Sequence, residues 1–371
     1  MKVTFPHMGN IYILIKTLFD ELDIEYIIPP KCSNRTLEIG AKHAPEMACL
    51  PLKINIGNFI QAMEKGADTI VITGGCGPCR FGYYAEMHKE ILKDLGYNVE
   101  IICLELNNKG IKELISKIKK LLGKRKLSSI VLPLYRAVKT LKLTDKLEEL
   151  SYIIRCRELV EGSTDKILDK FHQEIKNVYG YQAINKLIEK TKIKLIKLDL
   201  DKSHKPLKIG LVGEIYTLIE PFTNINIDKI LGNMGVEVNR SLYLSDWIIE
   251  HIVKGGLKIR KKQLFQKEAE KYLKTPVGGH AQETLGHSVI YARQQYDGII
   301  QIYPLTCMPE IVADSIMPDI KKEFNIPVMT MIMDEMTGEA GYMTRIDAFV
   351  DMLKRKKEIK EKADELLLSG N

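Results

Sequence analysis

Thr69-Ile70-Val71-Ile72-Thr73-Gly74-Gly75-Cys76-Gly77-Pro78-Cys79 is the stretch that decides how the chain folds. Five β-branched residues in a row, closed by two glycines, read as a strand buried on both faces, which is the habit of a parallel sheet covered by helices. The strand then delivers two thiols two residues apart at its carboxyl end. That spacing belongs either to a dithiol redox pair or to half of a metal site.

Working outward, short apolar runs at 3–5, 24–28, 69–73 and 99–104 alternate with amphipathic stretches at 11–22, 52–64 and 83–95. This βαβα rhythm predicts a mostly parallel sheet with helices on both faces. It returns with strands at 208–212, 298–302 and 327–331 and a helix at 309–323. Between the two, residues 108–200 are lysine-rich, poor in glycine and periodic at 3.6, which predicts helices. Polar Ser203-His204-Lys205-Pro206 reads as a linker. The expectation is an α/β protein of two domains with mostly parallel sheets. An N-terminal α/β domain at 1–107 carries the cysteines, a helical insert or bridge spans 108–200, and a C-terminal α/β domain spans 207–371.

Composition narrows the function. The chain has 371 residues, 45% hydrophobic and 28% charged, a globular balance too long for one ordinary core. No apolar run approaches the roughly 20 residues that cross a bilayer, and no signal peptide is visible, so a cytoplasmic location is expected. The net charge of +7 is spread over lysine-rich helices such as 112–126 rather than gathered beside aromatics, which argues against nucleic acid. Seven cysteines, an odd number, fit a reducing interior with free thiols.

In open α/β sheets ligands gather at the carboxyl ends of strands, and the suggestive sequences fall there. Phe5-Pro6-His7-Met8-Gly9-Asn10 follows the first strand, Pro29-Pro30-Lys31-Cys32 the second, and the Cys76 loop the third. Gly213-Glu214 and Pro304-Leu305-Thr306-Cys307-Met308-Pro309 take the corresponding places later. Cys49 and Cys307 each lie on a proline-flanked turn. A dithiol exchanger needs two sulfurs, so four on turns, Cys49, Cys76, Cys79 and Cys307, favour a metal. Iron-sulfur, zinc, thiol exchange and unrelated core cysteines all stay open at this point. Cys-Gly-Pro-Cys is also the thioredoxin tetrad, but the aromatic that usually precedes it is Gly75 here and the chain is several times too long. Cys103 and Cys156 read as core or bystander thiols.

Gly278-Gly279-His280-Ala281-Gln282-Glu283 opens a helix that sets His280 and Glu283 on one face, with His287 a turn further, as candidate acid-base or ligand groups. Equally, these are helix-capping residues after a glycine turn. Lys53 and Arg80, beside Cys49 and Cys79, are candidates to offset negative charge on a cofactor, and Glu214 is a further candidate contact. Neither a Gly-x-x-x-x-Gly-Lys-Ser/Thr nor a Gly-x-Gly-x-x-Gly motif follows a strand, so ATP dependence should lie in another protein.

The motifs quoted above, with Ala48-Cys49-Leu50-Pro51-Leu52-Lys53, Cys79-Arg80-Phe81-Gly82-Tyr83-Tyr84, Gly213-Glu214-Ile215-Tyr216 and Asp334-Glu335-Met336-Thr337-Gly338-Glu339, together resemble the acyl-CoA dehydratase activase-related proteins, or CoA protein activases. These are relatives of the 2-hydroxyacyl-CoA dehydratase subunits and the double-cubane cluster proteins. The resemblance implies two Rossmann-like, flavodoxin-like α/β domains enclosing an oxygen-sensitive iron-sulfur cluster, reduced by a separate ATP-hydrolysing activator that carries its own cluster. It implies dehydratase-like or small-molecule reductase chemistry, with a dehydratase-like subunit or a second copy of the chain as partner. The alternative is a non-catalytic protein that holds a cluster or zinc for the dehydratase system. Carried over by position, the ligands are Cys49 of the Cys-x-Pro-x-Lys motif, Cys76, Cys79 and Cys307, with Cys32 as a further one. A double-cubane [8Fe-9S] cluster needs six thiolates, so a single [4Fe-4S] cluster is expected.

Overall fold

In the computed structural model, which describes residues 1–75, 78–105, 111–250 and 262–368, the first strand is β1 (Val3–Thr4). It is followed by α1 (Ile11–Leu22), α2 (Asn34–His43), α3 (Leu50–Met63), β2 (Thr69–Thr73), α4 (Tyr84–Asp94) and β3 (Glu100–Leu104). The three strands are parallel in the order β1-β2-β3. The expected strand at 24–28 shrinks to one parallel bridge, Tyr26 to Val3, held by Val3 N to Glu25 O at 2.9 Å and Ile27 N to Val3 O at 2.8 Å. β1 offers only two residues to pair with, so the neighbour cannot extend.

Side chains of β2 alternate as a period of two requires: Ile70 and Ile72 pack with Leu52, Ile56 and Phe59 of α3, while Val71 packs with Leu14 and Leu18 of α1. Every residue of α3 from Leu50 to Ala62 is buried, as expected for a helix wedged between layers. Its Leu50 and Ile54 belong to the core of the second sheet. α2 lies tight against it because two glycines remove side chains at the crossing. A Cβ on Gly40 would sit 1.7 Å from Lys53 O, and one on Gly57 would sit 1.9 Å from Thr36 O.

Four helices follow: α5 (Ile111–Leu122), α6 (Val131–Arg155), α7 (Ser163–Glu174) and α8 (Tyr181–Ile196). α6 ties the two sheets together, since Glu148 accepts from Asn10 Nδ2 at 2.6 Å and from Arg240 at 2.6 Å. The second sheet is built from β4 (Leu207–Gly213), α9 (Ile215–Ile219), α10 (Ile227–Asn233), β5 (Val236–Arg240), α11 (Leu244–Ile248), α12 (Leu264–Ala269), α13 (Ala281–Arg293), β6 (Gly298–Pro304), α14 (Met308–Phe324), β7 (Val328–Met333) and α15 (Glu339–Leu368). Its strands are parallel in the order β5-β4-β6-β7. Counting the Tyr26 bridge, both sheets run second, first, third, fourth in chain order, and both carry helices on each face. The architecture is that of two Rossmann-like lobes. In such a sheet the crevice opens beyond the carboxyl ends of the first and third strands.

Candidate functional site

Three of the singled-out cysteines open a helical turn. Cys49 is the N-cap of α3 and Cys307 the N-cap of α14, each followed by a proline in the first turn. Cys79 stands in the same relation to a 3-10 turn, Arg80–Tyr83. Proline suits such positions because its missing N–H has no helical partner there. The positive end of the helix dipole favours an anion at each sulfur.

The three thiols come from both lobes and share one electrostatic neighbourhood. Cys79 acts electrostatically on both Cys49 and Cys307, and Glu214 acts on all three. Burial, chiefly, and then the Glu214 charge push the Cys307 thiol far up. Cys49 and Cys79 also rise through burial, against a hydrogen bond to the Tyr84 hydroxyl for Cys49 and a Phe81 N–H for Cys79. Cys76 lies outside the described residues.

The second lobe closes over this group in two places. Gly278 and Gly279, with φ of 82° and 54°, adopt the left-handed region and pack closely: a Cβ on Gly278 would lie 3.0 Å from Pro78 and one on Gly279 2.7 Å from Pro309. Arg80 spans the lobes, donating to Met47 O at 2.8 Å, to Thr306 Oγ1 at 2.6 Å and to Thr306 O. Thr306 has a φ of 67°, strained for a β-branched residue. Arg80 holds that turn immediately before Cys307. Lys53, 2% exposed, donates to Glu46 O at 2.8 Å and pairs with Glu335 of the second lobe.

Carboxylates line the second lobe's side. Glu214 caps α9, accepting from Tyr216 N at 3.0 Å and Thr217 N at 2.9 Å. Glu310, fully buried, accepts from Thr284 Oγ1 at 3.0 Å and Gln301 Nε2 at 3.1 Å, and burial pushes it up to about 8. Glu283 rises to about 7 through burial, and its charge reaches Glu310. His280 is the N-cap of α13, its carbonyl accepting from Thr284 N at 2.8 Å. His287 instead stacks on Phe265, with centroids 5.4 Å apart. Glu283 thus lies near the Glu310 carboxylate, whereas His287 packs on aromatic rings.

Cys32 joins a different group. Its sulfur, His7 Nδ1 and a Glu220 oxygen all lie within 4.8 Å of one another. Cys103, half-buried on β3, sits beside Gly74, where an added Cβ would meet its sulfur at 2.7 Å; burial pushes it to about 12. Cys156 lies away on the helical segment, donating to Ile153 O at 3.3 Å, and burial raises it to about 11. Glu220 carries no signal in the sequence and becomes visible only when distant segments meet.

Fold and site define a class, a two-lobed Rossmann-like α/β protein that gathers thiols from both lobes where the strand ends converge. Residues 6–72 match a family model described as the CoA enzyme activase uncharacterised domain. That stretch, which holds His7, Cys32, Cys49 and Lys53, is what the chain has in common with that domain. No curated protein matches the chain. Among the described residues, no helix is long and apolar enough to cross a membrane.

Proposed function

We propose that the chain is an iron-sulfur redox protein that takes low-potential electrons from a separate ATP-hydrolysing activator and passes them to a substrate or to a dehydratase-like subunit. The observation that carries this reading is the convergence of Cys49, Cys79 and Cys307, from two lobes, beside one another at the strand ends. The donor set fits a [4Fe-4S] cluster held by these three and Cys76. Thiolates suit iron-sulfur centres, the helix N-termini behind Cys49 and Cys307 favour negative charge, and Lys53 and Arg80 stand nearby as cations. Such a cluster supplies single electrons at low potential.

This chain's own residues do the rest. Cys307 makes the centre dependent on both lobes, Arg80 fixes the turn that presents it, and the Gly278-Gly279 turn packs against Pro78 and Pro309. The relationship to CoA enzyme activases supports a partner that handles acyl-CoA chemistry.

Iron and acid-labile sulfide measured on oxygen-free protein test the reading. The wild type should hold both, with a broad visible absorption that dithionite bleaches. Cys49→Ser, Cys76→Ser and Cys307→Ser should each lose the iron, whereas Cys103→Ser and Cys156→Ser keep it. Full iron in all three ligand variants would exclude the site. A colourless protein with stoichiometric zinc at these thiols would make the chain a holding or assembly protein instead.

A further inference from the structure

We infer that His7, Cys32 and Glu220 form a second, mononuclear metal site, for a divalent ion of the Zn2+ type, which pins the two lobes together. It is separate from the thiol group of the proposed cluster and does not depend on that proposal.

The three residues come from three chain segments. His7 follows β1, Cys32 ends the Pro29-Pro30 turn before α2, and Glu220 follows α9 in the other lobe. All three are buried, 6%, 9% and 2% exposed respectively. Their ligand atoms lie within 4.8 Å of one another, with His7 Nδ1 and Glu220 Oε2 at 2.9 Å. An ion bound at about 2.0–2.3 Å to nitrogen, oxygen and sulfur needs donors gathered to that degree.

An ion pair between His7 and Glu220 accounts for two of the residues but not for the third, whose sulfur stands beside the same carboxylate. That sulfur also has hydrogen-bonding contacts with Asn58 Nδ2 at 3.5 Å and with the Tyr216 hydroxyl at 3.9 Å. With Zn2+ the donors balance: a thiolate and a carboxylate cancel the ion's two charges, and neutral His7 completes the set. The buried site then carries no net charge, which removes the main cost of placing ions there. One nitrogen, one sulfur and one oxygen donor suit zinc.

The surroundings are those of an oriented site, in which neighbouring groups fix each ligand. Gly9 N donates to Glu220 Oε2 at 2.8 Å, and Phe222 N reaches Oε1 at 3.4 Å. The Tyr216 hydroxyl donates to the His7 carbonyl at 2.7 Å, and Asn58 holds the sulfur. A water would take the fourth position.

The test is titration of chelator-treated full-length protein with Zn2+ and, for its spectrum, Co2+, in wild type, Cys32→Ser, His7→Gln and Cys49→Ser. The wild type and Cys49→Ser should share one tight equivalent that gives a tetrahedral Co2+ spectrum with a sulfur charge-transfer band. Cys32→Ser should lose that band, and His7→Gln should bind the ion at least about 100-fold more weakly. Asn58→Ala should weaken binding by about 10–100-fold, the range for an outer-sphere partner. Zn2+ should raise the melting temperature of the wild type and of Cys49→Ser but not of Cys32→Ser, whose metal-free melting curve reports whether it folds. If Cys32→Ser retains the tight equivalent, the site is overturned. If Cys49→Ser alone loses it, the ion sits at the other thiols and this inference fails, while iron and sulfide on oxygen-free protein decide the cluster separately.

Discussion

At the ends of the first sheet's strands stand Cys49, Cys79, Lys53 and Arg80, whereas the corresponding ends of the second sheet bring Glu214, Glu310 and Glu335 with a single thiol, Cys307. The two sheets nevertheless share one strand order. Topology decides where a crevice opens, and side chains decide its charge. Here the two halves are complementary: sulfur and cations on one side, carboxylates on the other, joined by Lys53 to Glu335 and by Arg80 to Thr306.

The strongest way to break that complementarity is to strand the buried cation. Glu335→Gln leaves Lys53, 2% exposed, with only the Glu46 carbonyl, and should cost about 3–5 kcal/mol. Lys53→Met leaves Glu335, 28% exposed, free to rehydrate, and should cost about 1–2 kcal/mol. Urea unfolding of both variants checks the order. The reverse order would mean that packing of α3, not charge, sets the cost.

A pH series sharpens the contrast between the lobes. His88 in the first and His287 in the second are both lowered by burial from 6.5 to about 4. A histidine depressed on folding binds fewer protons in the folded state between those values. Its stability is therefore complete above about pH 6.5 and declines as pH falls toward 4. His88, fully buried against Phe59 and Tyr84, should account for up to about 3 kcal/mol of that decline, at roughly 1.4 kcal/mol per pKa unit. His88→Phe should flatten the first lobe's share of the melting-temperature slope and leave that of His287. An unchanged slope would refute the assignment. Smallest of all, Arg80→Lys should lower stability by less than about 1 kcal/mol, because the residue is exposed, while losing the fork that grips Thr306. Calorimetry measures it.

Much of this fold could be read residue by residue. α1 at Ile11–Leu22 and β2 at Thr69–Thr73 carry unmixed signals, one amphipathic and one continuously apolar, and both stand at the expected bounds. β5 at Val236–Arg240 escaped reading, because Val-Glu-Val-Asn-Arg carries only two apolar residues and its burial comes from neighbours. The gathering of Cys49, Cys79 and Cys307 could be anticipated from proline-flanked turns after strands. The company of Cys32 could not: Glu220 lies 213 positions from His7, and no local pattern links them.

Arg80 and Thr306 are separated by 226 positions. At about 5–20 residues per second of synthesis, the first lobe's thiols emerge roughly 11–45 s before the turn that carries Cys307. During that interval they are a half-built pocket facing solvent. A cluster of the kind proposed could be completed only once the second lobe has supplied Cys307, so its loading would follow that lobe's synthesis.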